Sequence, residues 1–374
     1  MRRTWAVARK ELRQVARDPL SLIMLIGLPA FMLVLFGYAL NFDVRHIALA
    51  VQDRDHSGHS RDLIAAFVNS TYFDLVATPA PGQDLEVLTE RLQAKAVLVI
   101  PEGFGADLST GRTAAVQLLL DGADATTATT ILGYANGLVA QTNERLLRGS
   151  LSRMGITLEP GIAYEPRVWY NPELESTQFL VPGLIGFLLM LTAVLATALS
   201  VVREKERGTM EQLRVAPLRT WELIVGKTLP YLAVSYLAAV IILVAARLLF
   251  DVQVQGSYLA LFIATLVYLF GALGFGLLIS TIADTQALAF QVGLLASMLP
   301  ALVLSGFIFQ IRAMPPFLQT VTYLVPARYY LVILRGVILK GTTLEPYWDQ
   351  LLALVVFAVV MVALASVRLA RREG

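Results

Sequence analysis

The sequence predicts an α-helical membrane protein with about six transmembrane helices and an inserted α/β extracytoplasmic domain. The 374 residues are 56% hydrophobic, with a mean hydropathy of +0.65. The apolar residues are concentrated in runs of roughly 20, the helix length that crosses about 30 Å of hydrocarbon. A polar stretch with strand-like and helix-like segments, residues 41–178, separates the first apolar run from the others.

Composition excludes several classes of function. The net charge of +2 gives no reason to expect nucleic acid as a partner. The absence of cysteine excludes disulfides, thiolate catalysis and zinc–cysteine sites. The first apolar run is too long for a cleavable signal peptide, and no small-residue cleavage site follows it.

Residues 1–19 form a basic segment in which apolar residues recur at near-helical spacing. This pattern predicts an amphipathic helix that lies in the cytoplasmic membrane interface. A positive flank without helical structure is the alternative, and the apolar spacing favours the helix. Asp18-Pro19 ends it. The basic residues predicted to contact the interface are Arg9, Lys10, Arg13 and Arg17.

The first predicted span is 20–40, with Pro29 as a candidate kink. The basic flank before it places the N-terminus in the cytoplasm by the positive-inside rule. The domain 41–178 then lies on the opposite side of the membrane. Its strand-like and helix-like segments alternate, which indicates an α/β layer domain.

The remaining apolar runs complete a multi-pass membrane protein. Basic residues follow the second and the last span, so both termini are predicted to be cytoplasmic. The predicted segments are spans 179–202, 229–249, 258–282, 288–308 and 351–369, a cytoplasmic loop 203–227 and a cytoplasmic tail 370–374.

The stretch 309–350 contains apolar pieces that are too short to cross a bilayer. Such pieces suit re-entrant half-helices on the outer face, where protein or a cavity surrounds their backbone. The residues predicted to shape this region are Pro315, Pro316, Pro326 and Arg328.

The predicted spans carry almost no ionisable residues. Ion-driven carriers keep such residues at membrane depth to bind the coupling ion, and an intramembrane hydrolase needs a polar catalytic set there. The sequence therefore predicts a protein without enzymatic activity of its own, whose energy comes from outside the membrane.

Gly226-Lys227-Thr228 resembles the end of a phosphate-binding loop. That loop requires a glycine where this chain has Trp221, and a strand where it has a helix entering the membrane. We therefore predict no nucleotide site here, and no ATPase in this chain.

Two further patterns have structural explanations. Gly271, Gly274 and Gly276 lie within one predicted span, where small residues permit close helix packing. His56 and His59 lie near two aspartates in a polar loop, where solvated side chains are the more common finding than a metal site.

The loop 203–227 has the pattern of a short capped helix between two spans. Thr209 and Gln212 have the spacing of a capping box, and Pro217 ends the helix. Thr220 is a candidate cap for the next helix. An ordinary basic loop that follows the positive-inside rule is the alternative. The acidic residues mixed among the basic ones favour a docking helix, because a topology signal needs only positive charge.

With these features the chain resembles the membrane subunit of a type-2 ABC exporter, over nearly its whole length. The resemblance rests on the basic N-terminal helix, the large outer domain, the loop REKERGTMEQLRVAPLRTWELIVGK and the stretch LSGFIFQIRAMPPFLQTVTYLVPARYYLVILRGVILKG. In such permeases the loop is a coupling helix that inserts into the ATP-binding subunit. The contact residues that the resemblance implies are Glu204, Glu206, Arg207, Gly208, Thr209, Glu211, Gln212 and Leu213.

The resemblance also implies the partners. Two permeases, identical or different, work with two ATP-binding cassette subunits in the lipid membrane, often with a periplasmic adaptor when the outer domain is large. ATP and Mg²⁺ would be bound by the partner subunit, and this chain would hold no cofactor. The alternative hypothesis is an ABC-coupled mechanotransmission or sensor protein that transports nothing. An enzyme in the outer domain is the weakest hypothesis, because no catalytic spacing stands out there.

Overall fold

In a computed structural model the chain divides into two compact units. Residues 1–41 and 167–374 form the membrane unit, and residues 42–166 form the inserted unit. The structure describes residues 2–39, 46–80, 82–83, 85, 94–123, 125–153, 169–171, 175–208 and 220–373.

The membrane unit begins with a nearly continuous helical segment. It consists of α1 (Arg2–Arg17), α2 (Pro19–Leu22), a π-helical turn (Ile23–Gly27) and α3 (Leu28–Ala39). Pro29 lacks an N–H, and a π turn directly before it accommodates the lost helical hydrogen bond. The apolar helix Ile23–Ala39 is shorter than the long candidate spans described below.

The inserted unit is built on a four-stranded sheet with strand order β2-β1-β3-β4. Strand β1 pairs in parallel with β2 and β3, whereas β4 is antiparallel to β3. Leu49, Phe67, Leu98 and Ile131 form part of a core between the sheet and its helices. The elements are β1 (Ile47–Asp53), α4 (Gly58–Val68), β2 (Phe73–Ala77), β3 (Ala96–Ile100), α5 (Phe104–Ser109), β4 (Gln117–Leu120) and α6 (Ala125–Arg153).

The rest of the membrane unit is helical. Within the described residues, five helices are long and apolar enough to cross a membrane, which agrees with the prediction of about six. A bent pair, Pro316–Leu324 and Pro326–Lys340, with an angle of 83°, gives up to six if it is a single broken span. The helices are α7 (Ser176–Glu206), α8 (Thr220–Phe250), α9 (Tyr258–Ile282), α10 (Gln286–Leu299), α11 (Pro316–Val321), α12 (Pro326–Lys340) and α13 (Trp348–Glu373).

Helices α7 and α8 extend past the apolar runs that predicted them. The predicted loop 203–227 therefore contributes its first residues to α7 and its last to α8, and residues 209–219 lie outside the described part. Hydropathy marks only the part of a helix inside hydrocarbon, because backbone hydrogen bonding continues into the polar interface.

Helix α7 is the centre of the membrane unit. In the most apolar stretch of α7, 83% of the residues are buried inside the unit, compared with 17% in the span that contains α13. Helix α9 packs between α7 and α13. A Cβ atom on Gly276 would overlap the carbonyl of Val194, and one on Gly274 would lie 2.8 Å from Val362. The predicted role of these glycines in close packing is confirmed.

The bent pair is braced at the residues that the sequence singled out. Pro315 is the N-cap of α11, and Pro316 and Pro326 occupy first-turn positions of α11 and α12, where a missing N–H costs little. Across the bend, Arg328 donates to the hydroxyl of Thr322. This contact fixes the angle between the two helices.

Arg335, on α12, was not singled out by the sequence. It donates a hydrogen bond of 3.0 Å to the carbonyl of Gly306, and its guanidinium lies 3.7 Å from the ring centroid of Phe179. Gly306 has a positive φ of 81° and follows the π-helical turn Pro300–Leu304 that continues α10. The arginine thus provides a donor to backbone that no longer has a helical partner.

Candidate functional site

The end of α7 opposite the bent pair is a junction at which helices of the membrane unit meet. Four successive charged residues, Arg203 to Glu206, complete α7. Each contacts a different element, as the following contacts show. We call this segment and its partners the junction.

Glu204 is at the centre of a buried charge cluster, which we define as Lys10, Glu11, Glu204 and Lys227. Both lysines donate to the Glu204 carboxylate, Lys10 from α1 and Lys227 from α8. The Nζ atoms of Lys10 and Lys227 lie 3.0 and 3.6 Å from Oε1 of Glu11. The cluster therefore joins α1, α7 and α8 by ion pairs.

The cluster is neutral in sum, and three of its four members are almost dry. Glu11, Lys227 and Glu204 are 0%, 2% and 3% exposed. Buried charges of this kind are tolerated only with close partners, and removing one partner typically costs about 3–5 kcal/mol. Burial acts to lower the pKa of Lys10, but its hydrogen bond to Glu204 and the attraction of both carboxylates outweigh this and raise that pKa.

Gly226 explains how α1 reaches the cluster. A Cβ atom at this position would lie 2.8 Å from Cβ of Val7 and 3.0 Å from the carbonyl of Thr4. The glycine therefore lets α1 approach α8 closely, and the next residue is Lys227 of the cluster. The Thr228 hydroxyl donates to the carbonyl of Ile224. The segment that resembled a phosphate-binding loop is a helix-packing site.

The residues on either side of Glu204, Arg203 and Lys205, contact two further parts of the membrane unit. Arg203 forms an ion pair of 2.7 Å with Asp18, which lies between α1 and α2. Lys205 donates to carbonyls of Ser280 and Ala283 at the C-terminal end of α9, where a cation is favourable.

Glu206 completes the junction at the start of α10. Its carboxylate accepts the backbone N–H of Gln286 at 2.7 Å and also the side-chain amide of that residue. The first N–H groups of a helix have no partner inside the helix, so this carboxylate caps α10. The end of α7 is thus hydrogen-bonded directly to the start of α10.

Gly208 ends the helix and directs the chain into the loop. Its φ of 69° lies in the left-handed region, and its N–H donates to the carbonyl of Lys205, as in a glycine-terminated helix. Among the residues predicted to contact the ATP-binding subunit, Glu206, Arg207 and Gly208 are exposed. The others that follow lie outside the described residues: Thr209, Glu211, Gln212 and Leu213.

Glu204 is placed differently from the prediction. It was expected to contact a partner subunit, but it is buried in the charge cluster and points into the membrane unit. The physical reason is helical periodicity: Glu204 and Glu206 lie on different faces of α7. Sequence reasoning missed Glu11 and Lys227, which lie within α1 and α8 and come together only in the folded chain.

Helix α1 packs against protein as well as being amphipathic. Val7, Ala8 and Val15 are buried, and α1 packs on α8. Trp5 and Leu12 remain 65% and 46% exposed, which suits insertion into the membrane interface. The predicted interfacial cations Arg9, Arg13 and Arg17 are exposed, whereas Lys10 takes part in the charge cluster.

In the inserted unit, Asp53, one of the two aspartates near His56 and His59, stabilises its own loop. Asp53 accepts the backbone N–H groups of Asp55 and His56, each at 3.0 Å, and the Ser60 hydroxyl at 2.7 Å. Within the described residues no group of three or more potential metal ligands occurs.

Comparison with known proteins identifies the family. The sequence profile described as ABC-2 family transporter protein matches residues 19–367, most of the chain. This chain belongs to the ABC-2 transporter family. ABC-2 permeases are membrane subunits of ABC exporters and are not themselves the ATPase, which is an ATP-binding cassette partner.

Relatives of this permease are found in Escherichia coli K12. The probable multidrug ABC transporter permease YbhR is 32% identical over 95% of this chain and 94% of its own length. The probable multidrug ABC transporter permease YbhS is 33% identical over 99% of this chain and 97% of its own length. The inner membrane transport permease YhhJ is 26% identical over 87% of this chain.

Proposed function

We propose that this permease exports its cargo by converting ATP hydrolysis in the partner subunit into movement of the junction. The observation that carries the proposal is that Arg203 to Glu206 hold four separate parts of the membrane unit. A displacement of the adjoining loop would reach all of them within one helical turn.

The path of the movement follows from the contacts. The partner binds ATP and Mg²⁺ and pushes on the cytoplasmic loop 203–227, to which the resemblance assigns the coupling helix. The charge cluster makes α1, α7 and α8 move together, because separating its members would leave buried charges unpaired. Glu206 passes the same displacement to α10, since it caps that helix.

The topology proposed for this mechanism places the junction and both termini in the cytoplasm of a bacterial cell. The basic residues around α1, the loop and the end of α13 support this orientation. The inserted unit would then be extracytoplasmic and free to meet a periplasmic adaptor. A second permease, either a copy or a relative, would complete the transport pathway.

The cargo that we propose is a set of apolar drug-like compounds. The relatives named probable multidrug permeases support this class. A sensor that transports nothing is the alternative, and it is not favoured, because those relatives are named as permeases.

A double substitution that reverses one charge and places another on an apolar side chain tests the proposed coupling. We expect Glu206→Arg combined with Leu213→Asp to abolish co-purification with the ATP-binding subunit and cargo-stimulated ATP hydrolysis. Glu345→Arg is the matched control, because this exposed glutamate lies beside α13 at the end far from the junction. Normal binding and stimulation in the double variant would remove the docking proposal.

A further inference from the structure

A second feature of the membrane unit is a cavity of about 240 Å³ beside Pro300, where α10 passes into a π-helical turn. Its walls come from α7, α9, α10, the bent pair and α13, and they include Met190, Phe275, Ala296, Pro300, Leu324 and Met361. It lies away from the charge cluster, around the middle of α7.

The sequence explains why this space is open. Pro300 begins a π-helical turn, Pro300–Leu304, which widens the helix locally. Ala296, Ala301 and Ala327 line the cavity with minimal side chains. Helix α10 packs on α7 while α13 packs on α9, so the cavity separates α10 from α13.

The chemistry of the lining selects an apolar occupant. Every lining side chain is apolar except that of Ser297, and the Ser297 hydroxyl already donates to the carbonyl of Gly293 at 2.6 Å. Water requires two to four polar partners and is not expected in such a space. For comparison, an apolar cavity of roughly 150 Å³ binds benzene.

The position of the cavity among membrane-spanning helices indicates which apolar molecule would occupy it. The cavity lies among helices long enough to cross a membrane, so hydrocarbon chains surround the unit. Leu324, at the rim, is 77% exposed. We propose that the cavity binds one acyl chain of a bilayer phospholipid, which enters between α10 and α13 from the leaflet on the side of the bent pair.

Photolabelling tests this assignment. The permease with its ATP-binding partner is placed in nanodiscs of phosphatidylcholine that carries a diazirine near the end of one acyl chain. After irradiation, we expect adducts on peptides containing Ala296 to Leu304 and Phe357 to Met361. Ala296→Phe fills the cavity and should lower this labelling roughly tenfold, because the added ring takes the space and the packing contacts that the chain end would have.

Two matched variants keep the test decisive. Leu295→Phe adds a ring at the neighbouring position, whose side chain is 57% exposed, and should label like the wild type. Met361→Trp fills the cavity from α13 and should reduce the labelling as much as Ala296→Phe does. Agreement between two substitutions on different helices shows that the loss does not come from misfolding of one variant. Size-exclusion profiles establish that each variant is intact.

Several results would overturn the proposal. Equal labelling of all variants would indicate ordinary boundary lipid. Loss of the adducts on addition of an exported drug would assign the cavity to cargo, and stronger labelling by a headgroup diazirine would exclude an inserted chain. Efflux measured in parallel keeps the outcome separate from the proposed transport function, which does not depend on this cavity.

Discussion

Removing Lys227 should destabilise the membrane unit more than removing any exposed cation. In Lys227→Met, the two nearly dry carboxylates of Glu11 and Glu204 would lose the buried lysine of the cluster and keep Lys10, whose side chain is 47% exposed. Loss of one partner from a buried pair typically costs about 3–5 kcal/mol. Arg9→Met, which removes an exposed cation from α1, should cost less than about 1 kcal/mol.

The double variant Glu204→Gln with Lys227→Met tests whether these two members of the cluster are coupled. It removes one positive and one negative charge and leaves the Lys10–Glu11 pair at 3.0 Å. The double variant should lose less free energy of unfolding than the two single variants lose together, by about 1–3 kcal/mol. Unfolding by SDS in mixed micelles, followed by tryptophan fluorescence, gives these free energies. Additive losses, or a Lys227→Met loss no larger than that of Arg9→Met, would refute the coupled cluster.

Three further predictions concern other parts of the molecule. Gly276→Leu should force α9 away from α7 and lower stability by about 1–3 kcal/mol or more, seen as loss of monodisperse protein, while wild-type behaviour would contradict the close packing. Arg335→Met should cost about 1–3 kcal/mol, because the carbonyl of Gly306 loses its donor, and Arg335→Lys should recover part of it in the same SDS titration. In the inserted unit, the hydrogen bond from Lys95 lowers the pKa of Asp121, so its stabilisation is present above the unfolded pKa of about 3.9 and is lost as the pH falls through the lower folded value. Hydrogen exchange of β3 and β4, corrected for intrinsic rates, should therefore rise on acidification in the wild type and change less in Asp121→Asn.

Much of the fold could be predicted because the bilayer imposes a simple rule on sequence. Runs of about 20 apolar residues predict spanning helices, and the described part of the chain contains five such helices. Prolines interrupt the short pieces between Pro315 and Lys340, and these pieces form a pair of helices bent by 83°. That this pair is re-entrant stays a prediction. The glycines of α9 were also interpreted correctly, since small residues in a span usually mark helix contacts.

The charge cluster could not be predicted in the same way. Apart from the neighbours Lys10 and Glu11, its members are distant in sequence, and Glu11 looks like one more charged residue of a basic amphipathic segment. Only the folded structure brings them within 3.6 Å. Helical phase, which places Glu204 inward and Glu206 outward, likewise depends on where α7 meets its neighbours. Arg335 was missed because its partners are backbone carbonyls, which leave no pattern in the sequence.

The source of energy is the central claim, and transport in proteoliposomes tests it directly. Purified permease is reconstituted alone or with its ATP-binding partner, and accumulation of a fluorescent drug is measured with ATP or with an imposed proton or sodium gradient. We expect transport only when both the partner and ATP are present. Drug movement by the permease alone, driven by an ion gradient, would contradict the account.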